Sequence, residues 1–171
     1  MSIDRTSDEF FMREALKLAQ RAFDADEVPV GAVIVHKGKI IGRAHNQVEQ
    51  LKDATAHAEM LAITQAEEAI GNWRLTDCTL YVTKEPCPMC AGAILLSRVK
   101  RLVFGCSDER AGGAGSKFAI AQSPALNHTV IVQGGFCEEE AASLLRSFFK
   151  SQRTRSKIGQ LKNQQKYEFR D

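Results

Sequence analysis

Two short runs in this 171-residue chain bring metal-binding and proton-handling side chains into close spacing. Thr55-Ala56-His57-Ala58-Glu59 puts an imidazole two positions before a carboxylate, and Pro86-Cys87-Pro88-Met89-Cys90 places two thiols at Cys-x-x-Cys spacing. Each run stands where a helix is predicted to begin. A Cys-x-x-Cys at a helix N-terminus can direct both sulfurs to one side of the first turn, and the helix dipole favours their thiolates. One His from a neighbouring helix start would supply a third ligand. Three protein ligands leave a tetrahedral zinc with an open position, the arrangement of catalytic zinc. Glu59 can reach that position without ligating, and a metal-activated water needs a nearby proton acceptor.

Taken alone, neither run decides the chemistry. A Cys-x-x-Cys also serves as a redox pair or as part of a structural zinc knuckle. A structural site needs a fourth protein ligand, and none of Cys78, Cys106, Cys137 and His128 stands in a paired ligand spacing. Cys78 and Cys106 border apolar strands and read as small core residues. A redox pair leaves His-x-Glu without a purpose. Five cysteines is an odd number, which, without a secretion signal, favours metal or redox chemistry over a disulfide framework.

The elements that must position these residues follow from hydrophobic period and punctuation. Thr6, with Glu9 three residues on, has capping-box spacing and predicts a helix ending near Ala25. Pro29 to His36 and Lys39 to His45 read as strands joined by a Lys37-Gly38 hairpin turn. A second helical stripe from Ala58 to Ile70 closes at Gly71-Asn72. Strands follow at Thr79 to Thr83, Arg101 to Cys106 and Thr129 to Gln133, with a helix over Pro88 to Ser97 opened by its proline. Ser107 to Asn127 reads as Gly-rich and then weakly helical, and Glu138 to about Gln152 as a final helix. The order predicts one α/β domain, a mixed sheet flanked by helices, with a leading hairpin and parallel later strands.

Composition agrees with a single folded domain: 44% hydrophobic, 26% charged, 12 Gly and 4 Pro. The longest apolar stretches are far too short to span a bilayer. Met1 to Glu14 carries four acidic residues and no apolar core, unlike a secretory signal, so an intracellular protein is expected. The net charge of +2 hides an asymmetry, with +6 over Arg146 to Asp171 and −4 over the remainder. That basic end is either a solvated helical face or a polyanion-binding surface.

His-x-Glu followed by Pro-Cys-x-x-Cys resembles the signature of the zinc-dependent deaminases. From about Phe10 to Phe149 the chain is similar to the tRNA-specific adenosine deaminases within them. Beyond the metal runs, the resemblance is carried by Glu27-Val28-Pro29-Val30-Gly31-Ala32-Val33, His45-Asn46, Leu80-Tyr81-Val82-Thr83, Ala91-Gly92-Ala93-Ile94, Ser97-Arg98-Val99, Val103-Phe104-Gly105, Asp108, Gly112, Gly115 and Phe148-Phe149. It implies a cytidine-deaminase-like three-layer α-β-α fold on a mixed five-stranded sheet, assembled as a homodimer. It implies one Zn²⁺ per subunit on His57, Cys87 and Cys90, with Glu59 carrying a proton from the activated water to ring nitrogen N1 as adenosine becomes inosine. The implied substrate is the wobble adenosine of a tRNA anticodon stem-loop, in the cytoplasm and with no membrane partner. Asn46 would hydrogen-bond the purine. Val30, Ala32 and Val82 would line its pocket, and Ala58, Pro86 and Phe149 are further expected substrate contacts. Asp108 would meet the RNA backbone near the target ribose.

The expected deaminase domain covers residues 1–152, and 153–171 form a basic extension, helical or disordered. Ile158 to Asp171, with Tyr167 and Phe169, lies outside the resemblance. Lys84 stands where the family usually has an apolar residue; an outward side chain is expected, because a buried unpaired Lys is costly. Of Phe148 and Phe149, at least one is expected in the core, and Trp73 is read as a core anchor or a dimer contact. Two other classes compete with the leading one: a deaminase of a free base such as guanine or cytosine, and a zinc-stapled RNA-binding module, which leaves Glu59 without a role.

Overall fold

The computed structural model describes residues 4–168, with side chains to Ile158. Tyr167 and Phe169 therefore fall, as side chains, outside the described residues. The elements are α1 (Asp8–Asp24), β1 (Gly31–His36), β2 (Lys39–His45), α2 (Val48–Leu51), α3 (Ala58–Ile70), β3 (Cys78–Lys84), α4 (Pro88–Leu96), β4 (Arg101–Cys106), β5 (Ile131–Gln133) and α5 (Glu138–Glu168). The sheet order is β2-β1-β3-β4-β5. β1 pairs antiparallel with β2 and with β3, while β3–β4 and β4–β5 are parallel.

Strand alternation sorts the core into layers. Ala32, Ile34, Leu80, Val82 and Leu102 pack against Ala58, Ala62 and Ala66 of α3 and Ile94 of α4. Val33, Val35, Tyr81 and Val103 face the other way, onto Phe11, Met12, Ala15 and Leu18 of α1. α5 joins that second layer, with Ala141 and Leu145 against Cys106. The result is the three-layer α-β-α arrangement. Gly31 lets α1 approach β1 closely, since a Cβ there would lie 2.0 Å from the Ala15 carbonyl oxygen.

Local punctuation explains most boundaries. Lys37 and Gly38 both have positive φ, 48° and 74°, as a type I′ hairpin requires. Gly71 caps α3 at φ 69°, and the Asn72 N–H bonds the Glu67 carbonyl. Three expectations are corrected. The cap of α1 is Ser7, whose hydroxyl accepts the Phe10 N–H at 3.1 Å; the Thr6 hydroxyl instead donates to Asp4. The weak helix expected before Asn127 does not form, and Ser107–Asn127 is turns and bends with one bridge, Ala114–Ala119. Trp73 is 49% exposed and carries the Arg74 guanidinium over its ring, so of its two readings the core anchor falls and the dimer contact is left. The backbone of α5 continues through residue 152 to Glu168.

Candidate active site

The ends of two helices meet at the metal-binding runs. His57 is the N-cap residue of α3, Cys87 the N-cap of α4, and Cys90 lies in the first turn of α4. Cys87 Sγ is 3.7 Å and Cys90 Sγ 3.5 Å from His57 Nδ1, and all three donor atoms lie within 4.8 Å of one another. Tetrahedral zinc with ordinary Zn–S and Zn–N bonds would place sulfur and nitrogen ligands roughly 3.6 Å apart. The donor set and its spacing thus fit zinc. The Cys87 thiol is drawn down to about 4, foremost by its hydrogen bond with Cys90, against burial and with help from His57. The Cys90 thiol is pushed up by the same bond and by burial.

Glu59 follows in the first turn of α3 and is 4% exposed. Burial raises its carboxyl above the usual carboxylate range, with its own backbone N–H and nearby His57 partly opposing. A raised carboxyl is suited to holding a proton between two transfers.

Beside His57 opens a cleft of about 540 Å³, lined among others by Val30, Asn46, Lys84, Phe148 and Phe149. Asn46 is buried and its Nδ2 donates to Glu27 Oε2 at 3.1 Å, while Glu27 Oε1 accepts the Gln50 N–H at 2.7 Å. Glu27, 1% exposed, thereby fixes which way the amide points. Phe148 packs into the core against Phe23, and its neighbour Phe149 is 44% exposed, the division expected of adjacent helical residues. Of the other expected contacts, Ala32 and Val82 stand opposite each other in the sheet, fully buried with Ala58 in the core layer beneath α3. Pro86 is buried and its carbonyl accepts the Gly113 N–H at 2.7 Å.

Lys84 departs from expectation. Its side chain turns to this cleft and forms an ion pair with Asp108. Asp108 supplies the partner whose absence would have made an inward Lys costly. Asp108 itself lines a second cleft, of about 690 Å³, with Arg110, Arg146, Lys150 and Arg153, and Phe149 lines both. Sequence reasoning also missed Glu85. This carboxylate is 1% exposed and holds the loop after β4 by its backbone N–H groups. Its position directly before Pro86-Cys87 was the available signal. Gly112 makes room for it, since a Cβ there would lie 2.4 Å from the carboxylate.

The model of the MafB19-like deaminase family matches residues 6–153. A tRNA-specific adenosine deaminase of Bacillus subtilis (strain 168) is 49% identical over 152 residues, 89% of this chain and 94% of that relative. One from Aquifex aeolicus (strain VF5) is 50% identical over 145 residues, 85% and 95% of the two chains. A structure solved in a study of A-to-I editing by tRNA:A34 deaminases has a TM-score of 0.76 at 44% identity, covering 79% of this chain and 98% of its own. A guanine deaminase from Nitrosomonas europaea has the same fold at a TM-score of 0.70 but 26% identity, over 84% and 85% of the chains. Likeness at the level of half the residues, along most of both chains, separates the adenosine enzymes from the guanine enzyme, and this chain belongs to the MafB19-like deaminase family, among the tRNA-specific adenosine deaminases.

Proposed function

We propose that this protein hydrolyses adenosine to inosine at the wobble position of a tRNA anticodon. The observation that carries this reading is the meeting of a His57-Cys87-Cys90 donor set with buried Glu59, beside the cleft that holds Asn46. His57, Cys87 and Cys90 would hold zinc, and the chemistry zinc supplies is Lewis acidity that acidifies water to near neutral pH. Glu59 takes the proton of the attacking water, delivers it to N1 of the base and then assists departure of ammonia. Asn46, oriented by Glu27, hydrogen-bonds the purine edge. Val30 and Phe149 give the base its apolar walls. An anticodon loop suits such a pocket, because extruding an unpaired base costs less than the few kcal/mol needed within a duplex.

The second cleft carries the nucleotide chain onward. Arg110, Arg146, Lys150 and Arg153 there outnumber Asp108 and Glu109, as a phosphate-binding surface requires. The division into a deaminase domain over 1–152 and a basic extension over 153–171 belongs to this reading. So does a homodimer, for which the apolar side chain of Leu96, 67% exposed at the end of α4, offers a surface to cover. Among the described residues no helix is long and apolar enough to cross a membrane, and the cytoplasm is where this substrate would be met.

The test is inosine by mass spectrometry after incubating zinc-loaded protein with an anticodon stem-loop bearing a wobble adenosine. Inosine at that position, with free adenosine, cytosine and guanine untouched, is expected. Turnover of a free base with the stem-loop unchanged would overturn the reading in favour of a small-substrate deaminase.

A further inference from the structure

Lys84 and Asp108 meet where the two clefts adjoin. Lys84 closes β3 and lines the first cleft with His57 and Asn46; Asp108 lines the second with the arginines of α5. The two carboxylate oxygens of Asp108 are already engaged. Oδ2 takes the Lys84 ammonium, and Oδ1 accepts the backbone N–H groups of Arg110 at 3.0 Å and Ala111 at 3.2 Å. The Asp108 N–H is in turn held by Glu85 at 2.9 Å. Asp108 is thus anchored by its own loop, with a side chain only 14% exposed.

Lys84 is placed differently. An ammonium has three N–H donors, and Asp108 is its one hydrogen-bond partner among the described residues. Its side chain is 26% exposed, so it is reachable from the cleft while its stem stays covered. A nucleotide with its base beside His57 and its chain running toward Arg146 and Arg153 must carry its sugar–phosphate linkage past this point. A bare Asp108 would repel that linkage. An ammonium anchored by Asp108 neutralises the carboxylate and still has donors to offer.

We propose that Lys84 is a substrate-binding residue that grips a phosphodiester flanking the target nucleotide, with Asp108 holding its ammonium at the junction of the clefts. The proposal rests on the reading of this site as one that takes a nucleotide within a chain. It makes Lys84 a specificity determinant, since a free base or nucleoside has no linkage to offer.

The experiment pairs a change in the protein with a change in the ligand. Binding of an anticodon stem-loop is followed by fluorescence anisotropy for the zinc-loaded wild type, Lys84→Met and Lys84→Arg. Each is measured with normal linkages and with a neutral methylphosphonate at one or the other linkage flanking the adenosine. Lys84→Met and one neutral linkage should each weaken binding about tenfold, and together scarcely more than either alone. Lys84→Arg should recover most of the loss on the normal stem-loop. Additive losses at both linkages, or unchanged binding by Lys84→Met, would overturn the proposal, because a merely structural lysine has no reason to couple to one phosphate. Inosine is read in parallel. Wild-type binding without inosine would sink the proposed reaction and leave Lys84 to be judged by the binding cycle, whereas no binding at all would sink both.

Discussion

Glu85 Oε1 accepts the backbone N–H of Ala114 at 3.1 Å, tying the loop after β4 to the residue that precedes Pro86 and Cys87. The same carboxylate accepts the Ser116 N–H at 3.0 Å, the Asp108 N–H at 2.9 Å and the Ser116 hydroxyl. In return the Gly113 N–H bonds the Pro86 carbonyl. The metal-binding run and the loop bearing Asp108 are therefore tied together from both sides. A buried carboxylate surrounded by donors on every side is compatible with a stable fold only because those donors are present.

Replacing that carboxylate should be costly even by a residue of the same shape. In Glu85→Gln one acceptor becomes an NH₂ facing backbone N–H groups that have no alternative partner. A loss of about 2–4 kcal/mol is expected from urea unfolding of the zinc-loaded protein at neutral pH. A loss below about 0.5 kcal/mol, the range of surface changes, would show that the loop is held by other means.

A second, half-buried anchor sets an acid limit to stability. Asp8 accepts two hydrogen bonds from Arg101, both at 2.7 Å, and the Tyr81 hydroxyl at 2.6 Å. The Arg101 bonds hold the Asp8 carboxyl below its ordinary 3.8, with burial opposing. A depressed carboxylate contributes stability that is present above the unfolded-state value and lost as pH falls through the folded one. The stability advantage of wild type over Asp8→Asn should hold at neutral pH and shrink below about pH 4. An advantage that stays constant down to pH 2 in thermal melts would show that the ionised form is not what Asp8 contributes.

Metal content and turnover should come apart in two single variants. Cys87→Ala removes a donor and should lower zinc per chain, read by elemental analysis, along with activity. Glu59→Ala leaves the donor set intact and should keep zinc while deamination drops about 10²–10⁴-fold. Stoichiometric zinc in the first variant would refute the ligand assignment, and appreciable turnover in the second would refute the proton-carrier assignment.

Which of these features a reader of the sequence can see depends on how local their causes are. The Lys37-Gly38 hairpin and the Gly71 stop of α3 are set by neighbouring backbone, and both stand where their residues predict. His57, Cys87 and Cys90 are visible because helix starts and ligand types coincide. The α1 cap is one residue off because Thr6 and Ser7 are equally capable, and Asp4 captures the Thr6 hydroxyl. Lys84 is the more instructive case. Alternation along β3 after Leu80 and Val82 already directs it to the α3 side of the sheet, but its partner lies 24 residues further along the chain. The helix expected before Asn127 fails for the same kind of reason, since the N–H groups of Lys117, Phe118, Ile120 and Ala121 are claimed by the carbonyls of Gly112 and Gly113.

The basic face of α5 makes a prediction that charge alone could not. Arg146, Lys150 and Arg153 line the second cleft together, beside Arg110 and beyond the Lys84–Asp108 pair. If all three meet phosphates of a single-stranded loop, each released counterion contributes roughly 0.7 to the slope of log affinity against log salt. The triple change to Gln should therefore flatten the slope for stem-loop binding by about 2 and weaken binding most at low salt. Arg155 is the comparison, because it lines neither of these two clefts and is paired with Asp26, at the wall of the first. Arg155→Gln should leave the slope within experimental scatter. Equal effects from Arg155 and from the three cleft residues would mean that the strand follows the helix as a whole, and the second cleft would lose its claim to the backbone.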